Sequence, residues 1–333
     1  MKIKKRNLAF SAIVLCIVLA VAFYIRFNSH KNIKNPPASN NSEEILWSVD
    51  TRGYLYYPLE RGEVDFYREN YSETEDLYIS KIVFKSRGAS IYGLLAIPKE
   101  TETLLPGMVL LPGAGVSKES ELGLAKKISS LGIAVLVIDQ RGVGETGGNV
   151  PSLQEDFISF SQKTEPVQHL YVFDALRSFD LLKSAPFVDK SRITIAGESL
   201  GGRIALIATS IDRNVLGAMA ISAAPLKLRL TNQTLQDAFA KSLDSEHYVA
   251  SITPRKLLMI HNEFDKGVPV QSAVQTFLKA QDPKRFVLIN DTSSDCRHGY
   301  CDKMYNGMLK GMEFLYDAKF NLSSFNVTNA FVP

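Results

Sequence analysis

Residues 192–206 read RITIAGESLGGRIAL. The β-branched run at 192–196 favours a pleated backbone, and Gly197 punctuates its end. Residues 203–210 are rich in Ala, Leu and Ile and predict a helix. Between the two the chain must turn sharply, with Ser199 at the apex. A hydroxyl there is held out of the fold in front of a helix N-terminus, which is how a nucleophile is presented. Gly197, Ser199 and Gly201 match G-x-S-x-G, and Gly202 adds clearance where the helix approaches the strand. Five residues alone fit a capping serine in a glycine-rich turn equally well, so the context has to decide.

Outward from this stretch, strand-like and helix-like patterns alternate. YISKIVFKS (78–86) and SIYGLLAIP (90–98) read as a hairpin-like pair. Then follow strands GMVLLPG (107–113), IAVLVID (133–139), RITIAG (192–197), LGAMAIS (216–222), RKLLMIH (255–261) and RFVLIN (285–290). Helical patterns occupy 121–131, 167–183, 203–210, 270–280 and 299–320. Such near-continuous apolar strands belong to a parallel sheet covered on both faces, so the fold class is α/β, doubly wound. Residues 226–253 break the alternation and predict a small helical cap, while 45–77 show no clear period and read as an N-terminal extension packed on the domain.

A serine hydroxyl needs a base, an acid to orient that base, and donors for the oxyanion it creates. Each part is expected where loops leave the carboxyl ends of the strands. His298, in CRHGY after the last strand, is the candidate base; of the other four histidines, His30 lies in a polar segment and His169 and His247 in helix or cap. His261 ends a strand and reads as structural. The loop HNEFDKGVPV (261–270) offers Glu263 and Asp265, and Asp265 is preferred because the following Gly267-Val268-Pro269 turn bends its carboxylate back towards the sheet edge. Backbone N–H donors are expected at Leu200 and at Ala114 in LPGAGVS.

With Ser199, Asp265 and His298 in that order, GESLG as elbow, PGAG after an early strand and DQRGVGETGG at 139–148, the chain resembles α/β-hydrolase family serine hydrolases. The likeness is to their esterase and acyl-peptidase-like branch, and covers residues 78–320. It implies an α/β-hydrolase fold and cleavage of an ester, thioester or amide through an acyl-serine. An acyl-peptidase-like amidase and a binding protein on the same fold are the alternatives. It also implies structural roles for Asp139 and Arg141. Dehalogenase and epoxide hydrolase relatives carry an aspartate at the elbow, so Ser199 tells against them. Pro112 stands where many members carry His, and Asn262 where Gly is usual.

The remaining features concern location and partners. Residues 8–25 form an uncharged apolar run after a basic MKIKKR, long enough for a helix of roughly 27 Å against a hydrocarbon core of ~30 Å. Residues 1–27 are expected to be a membrane anchor rather than a cleaved signal segment, followed by a flexible tether at 28–44 and a catalytic domain outside the cytoplasm; 321–333 is a C-terminal tail. The 333 residues carry 38 basic and 35 acidic side chains, and seven of the basic ones precede residue 35, so the remainder is mildly acidic. No dense basic stripe points to nucleic acid, and no paired His/Cys cluster or Walker-spaced lysine points to a metal or nucleotide cofactor. A small-molecule ester or acyl compound is the expected partner. Cys296 and Cys301 flank His298 and are read either as a disulfide or as two independent thiols.

Overall fold

Apolar runs become the middle of a nine-stranded sheet. The computed structural model describes residues 46–99 and 103–320. A small antiparallel pair, β1 (Ser48–Val49) and β2 (Leu55–Tyr56), precedes the sheet strands β3 (Phe66–Glu73), β4 (Leu77–Ser86), β5 (Ala89–Pro98), β6 (Leu105–Leu111), β7 (Ala134–Ile138), β8 (Val188–Glu198), β9 (Gly217–Ile221), β10 (Lys256–Asn262) and β11 (Lys284–Ile289). Helices are α1 (Lys118–Ser129), α2 (Leu153–Ser161), α3 (Val167–Ser184), α4 (Leu200–Ile211), α5 (Thr234–Ser242), α6 (Val270–Lys279) and α7 (Tyr305–Tyr316). The order across the sheet is β11-β10-β9-β8-β6-β7-β5-β4-β3. From β7 to β11 every pairing is parallel, whereas β3, β4 and β5 form an antiparallel meander that joins through β5 and β7. The α/β-hydrolase expectation is met.

Alternation within the strands sorts the core into two layers. Val109 and Leu111 of β6 pack with α3 and α4, while Met108 and Leu110 pack with α1 and α7. Every residue of β6, β7 and β9 is buried, as strands covered on both faces require. After β6 the chain places β7 on one side and then returns to place β8 on the other. The strand order reverses there, leaving a crevice outside the carboxyl ends of β6 and β8, the place where sheets of this kind bind ligands.

Three elements depart from the sequence-based expectation. The sheet begins before residue 78, because β3 pairs with β4 from Phe66↔Phe84 to Glu73↔Tyr78. Almost every β3 residue is exposed, so this edge strand carries no apolar alternation to read. Helix α2 was not foreseen, although a capping box starts it: Ser152 Oγ accepts from the Glu155 N–H and the Ser152 N–H donates to the Glu155 carboxylate. The last helix starts at Tyr305 rather than 299, since Gly299 has φ +79° and the Cys296–Cys301 bond constrains the segment ahead of it. Within 226–253 stand α5 and two short 3-10 turns, Ser245–His247 and Val249–Ser251. Phe239 and Leu243 pack there on Phe160 of α2.

Asp139 and Arg141 have structural partners. The fully buried Asp139 carboxylate accepts from Lys118 Nζ and the Lys118 N–H, both at 2.8 Å, and from the Glu145 N–H at 3.0 Å. Arg141 donates to Asp174 at 2.7 and 2.9 Å. The expected anchor, the tether and the tail at 321–333 lie outside the described residues. Among the described residues no helix is long and apolar enough to cross a membrane, and no group of three or more His, Cys, Asp or Glu could hold a metal ion.

Candidate active site

Ser199 lies between the last residue of β8 and the first of α4, at φ +50° and ψ −113°. A non-glycine residue held there costs roughly 1–3 kcal/mol and persists only when its surroundings over-determine it. They do: the Ser199 N–H donates to Ile221 O at 2.9 Å, and its carbonyl accepts the Arg203 N–H at 3.1 Å. The glycines are a steric necessity. A Cβ on Gly201 would overlap the Leu111 carbonyl and stand 2.6 Å from Pro112 O, and one on Gly202 would stand 2.6 Å from the Ala223 Cβ. Only a bare backbone lets α4 approach the end of β6 so closely, which puts Ser199 beside the loop after β6; a Cβ on Gly113 would lie 3.6 Å from that of Ser199.

Across the crevice His298 and Asp265 are joined. His298 Nδ1 lies 2.9 and 3.1 Å from the two carboxylate oxygens of Asp265. Asp265 Oδ1 also accepts the Gly267 and Val268 N–H groups, each at 2.8 Å, so the turn after the acid folds back on it. Burial opposes the Asp265 charge, but the His298 hydrogen bond and the Val268 amide outweigh it and hold the carboxyl below its usual 3.8. The same hydrogen bond raises the His298 pKa above 6.5 against its partial burial, helped by the charges of Asp265 and Glu198. Glu263 turns elsewhere, accepting from Asn290 Nδ2 at 2.6 Å. His261 sits behind the acid, its Nε2 2.9 Å from Val268 O and 3.7 Å from Asp265.

Leu200 is the first residue of α4, so its N–H lacks an intrahelical acceptor and faces the crevice end. Ala114 is exposed in the loop after β6. Ser199 is half-buried and the His298 side chain 36% exposed, so the crevice opens to solvent on this side. Among the described residues no hydrogen bond joins the Ser199 hydroxyl to His298. A cleft of about 420 Å³ bounded by Arg52, Tyr54 and Arg213 shares no lining residue with this group.

Two contributors escaped the sequence reading. Ser222, the residue after β9, donates from its hydroxyl to Gly299 O at 3.3 Å beside the Asp265 carboxylate. Glu198, next to Ser199, accepts the Tyr300 N–H at 3.0 Å. Their only sequence signal was position at the carboxyl end of a strand.

Comparison with known proteins agrees with this architecture. The acetyl xylan esterase (AXE1) family model matches residues 61–225. The uncharacterized protein YfhR of Escherichia coli O157:H7 is 26% identical over 298 residues, covering 83% of this chain and 98% of the relative. Acetyl xylan esterase from Paenibacillus sp. R4 superposes with a TM-score of 0.64 at 18% identity, over 77% of this chain and 90% of that one. Acetyl Xylan Esterase 1 from Thermoanaerobacterium sp. JW/SL YS485 gives 0.62 at 16% identity, over 77% and 89%. The match over residues 61–225 and the shared fold support an esterase-like α/β-hydrolase, a carboxylic ester hydrolase by class.

Proposed function

We propose that the chain hydrolyses small O-acyl esters through an acyl-Ser199 intermediate. The observation that carries this reading is the two-point contact of Asp265 with His298 across from the strained Ser199 turn. Ser199 Oγ attacks the ester carbon while His298 Nε2 takes its proton, and the Ala114 and Leu200 N–H groups receive the carbonyl oxygen as it becomes an anion. Asp265 keeps Nδ1 protonated and stabilises the imidazolium. Collapse breaks the C–O bond, and the leaving alcohol takes the proton from His298. Water then repeats the sequence on the acyl-serine and releases the acid. The hydroxyl-to-imidazole hydrogen bond forms when substrate is bound, as catalytic contacts that are long in the free enzyme commonly close in the complex.

A small acyl group on a sugar hydroxyl is the substrate class. It is supported by the acetyl xylan esterase match and by the exposed Ala114 and His298, which leave room for a bulky alcohol. A fluorophosphonate probe should label the full chain and spare Ser199→Ala; labelling that persists in the variant overturns the nucleophile. Hydrolysis of p-nitrophenyl esters should fall from acetate to octanoate, and the reverse order overturns the small acyl group. Faster cleavage of an aminoacyl anilide than of the acetate would favour the amidase reading.

The same proposal places the catalytic domain outside the cytoplasm, with residues 8–25 as its anchor. A disulfide beside His298 supports an oxidising compartment. Protease added to intact cells should cleave the domain; protection until lysis overturns the topology.

A further inference from the structure

Two carboxylates outside the Asp265–His298 pair face one another behind the crevice, Glu198 on the elbow and Glu121 in the first turn of α1. Glu198 Oε1 accepts the Tyr300 N–H at 3.0 Å, two residues beyond His298. Its Oε2 rests against Gly299, where an added Cβ would approach to 2.8 Å. Gly299 is itself at φ +79°, and its carbonyl accepts from Ser222. One side chain therefore bridges the segment that carries Ser199 to the segment that carries His298. The Cys296–Cys301 bond closes that second segment into a small loop but does not attach it to the elbow.

We propose that Glu198 is a positioning residue, whose carboxylate clamps residues 299–300 to the elbow and so fixes where His298 stands relative to Ser199. This rests on the triad reading above. Glu121 explains how a carboxylate is kept there. It is 5% exposed, its Oε1 has no hydrogen-bond partner, and burial with the nearby Glu198 charge pushes its pKa up to about 9. Burial raises the Glu198 pKa too, but the Tyr300 amide and His298 favour its charged form. Burial and the Glu198 charge favour the neutral form of Glu121, while the Tyr300 amide and His298 favour the charged form of Glu198, which faces Glu121, His298 and the Tyr300 ring and hydroxyl. A single anion beside the elbow supports an imidazolium without adding a second charge against the oxyanion.

The test uses the full chain in mild detergent, p-nitrophenyl acetate and two variants. Glu198→Ala removes the clamp and should lower kcat by ~10- to 100-fold with KM changed less than about three-fold, since roughly 1 Å of misplacement costs that much in rate. Glu198→Gln keeps an amide oxygen for the Tyr300 N–H and should recover kcat at alkaline pH to within about five-fold of wild type. It lacks the charge, so the acidic limb of kcat/KM, set by His298, should move to lower pH, a shift that a merely structural side chain would not cause. A Glu198→Ala kcat within two-fold of wild type overturns the proposal, as does an acidic limb in Glu198→Gln that coincides with wild type. If wild type itself takes no fluorophosphonate label, the triad reading falls instead.

Discussion

Replacing Asp265 by Asn conserves size and changes which nitrogen of His298 carries the proton. Three donors converge on Asp265 Oδ1: the Gly267 and Val268 amides at 2.8 Å and His298 Nδ1 at 2.9 Å. Two of them are backbone N–H groups that cannot become acceptors, so the amide oxygen of the new side chain must occupy that position. Its NH2 then falls where Oδ2 was, 3.1 Å from Nδ1. A donor facing Nδ1 turns that nitrogen into an acceptor and moves the ring proton to Nε2, the atom that has to take the Ser199 proton. A base held in the wrong tautomer loses about 10⁴-fold in kcat, equivalent to ~5.4 kcal/mol at 1.36 kcal/mol per decade. KM should change less than about three-fold, because the substrate touches neither atom. The loss of one charge-assisted bond should also lower stability, by roughly 1.5–3 kcal/mol. Steady-state kinetics on p-nitrophenyl acetate and a urea melt separate the two effects. A kcat within ten-fold of wild type, or a larger loss from Glu263→Gln, would refute the reasoning.

Only neutral His298 can act as base, so wild-type kcat/KM should rise with pH through a midpoint above 6.5, where the Asp265 hydrogen bond moves the imidazole; a midpoint at or below that value contradicts the pairing, and in Asp265→Asn it should fall. Gly201→Ala drives a Cβ into the Leu111 and Pro112 carbonyls, which are backbone and cannot rotate away, and should cost about 3 kcal/mol or more in a denaturant melt. Cys296→Ser with Cys301→Ser opens a loop of sequence separation 5, worth ~2 kcal/mol of unfolded-state constraint, and should reduce kcat by a larger factor than its midpoint shift explains; unchanged kcat would leave the bond without a positioning role.

Wherever a short stretch had to satisfy a local demand, the residues announced it. Gly197 and Gly201 flank Ser199 because a Cβ at either would run into backbone where the strand enters the helix, and strands β6, β7 and β9 are apolar throughout because both faces are covered. Chain order and the strand ends brought Ser199, Asp265 and His298 forward as a set. What the tertiary structure decided is what depends on neighbours distant in sequence. Strand β3 has no pattern of its own, since an edge strand exposed on both sides is held by its partner's backbone. Asp265 rather than Glu263 meets His298 because two amides of its own turn pull one carboxylate inward and Asn290 takes the other. The pairing of Cys296 with Cys301, left open by their spacing, follows from a loop that brings their Cα atoms to 5.2 Å. Glu198 and Glu121, 77 positions apart, look like ordinary charges in the sequence. Only the convergence of α1, β8 and the loop before α7 brings them together, because proximity across a sheet leaves no trace in local periodicity.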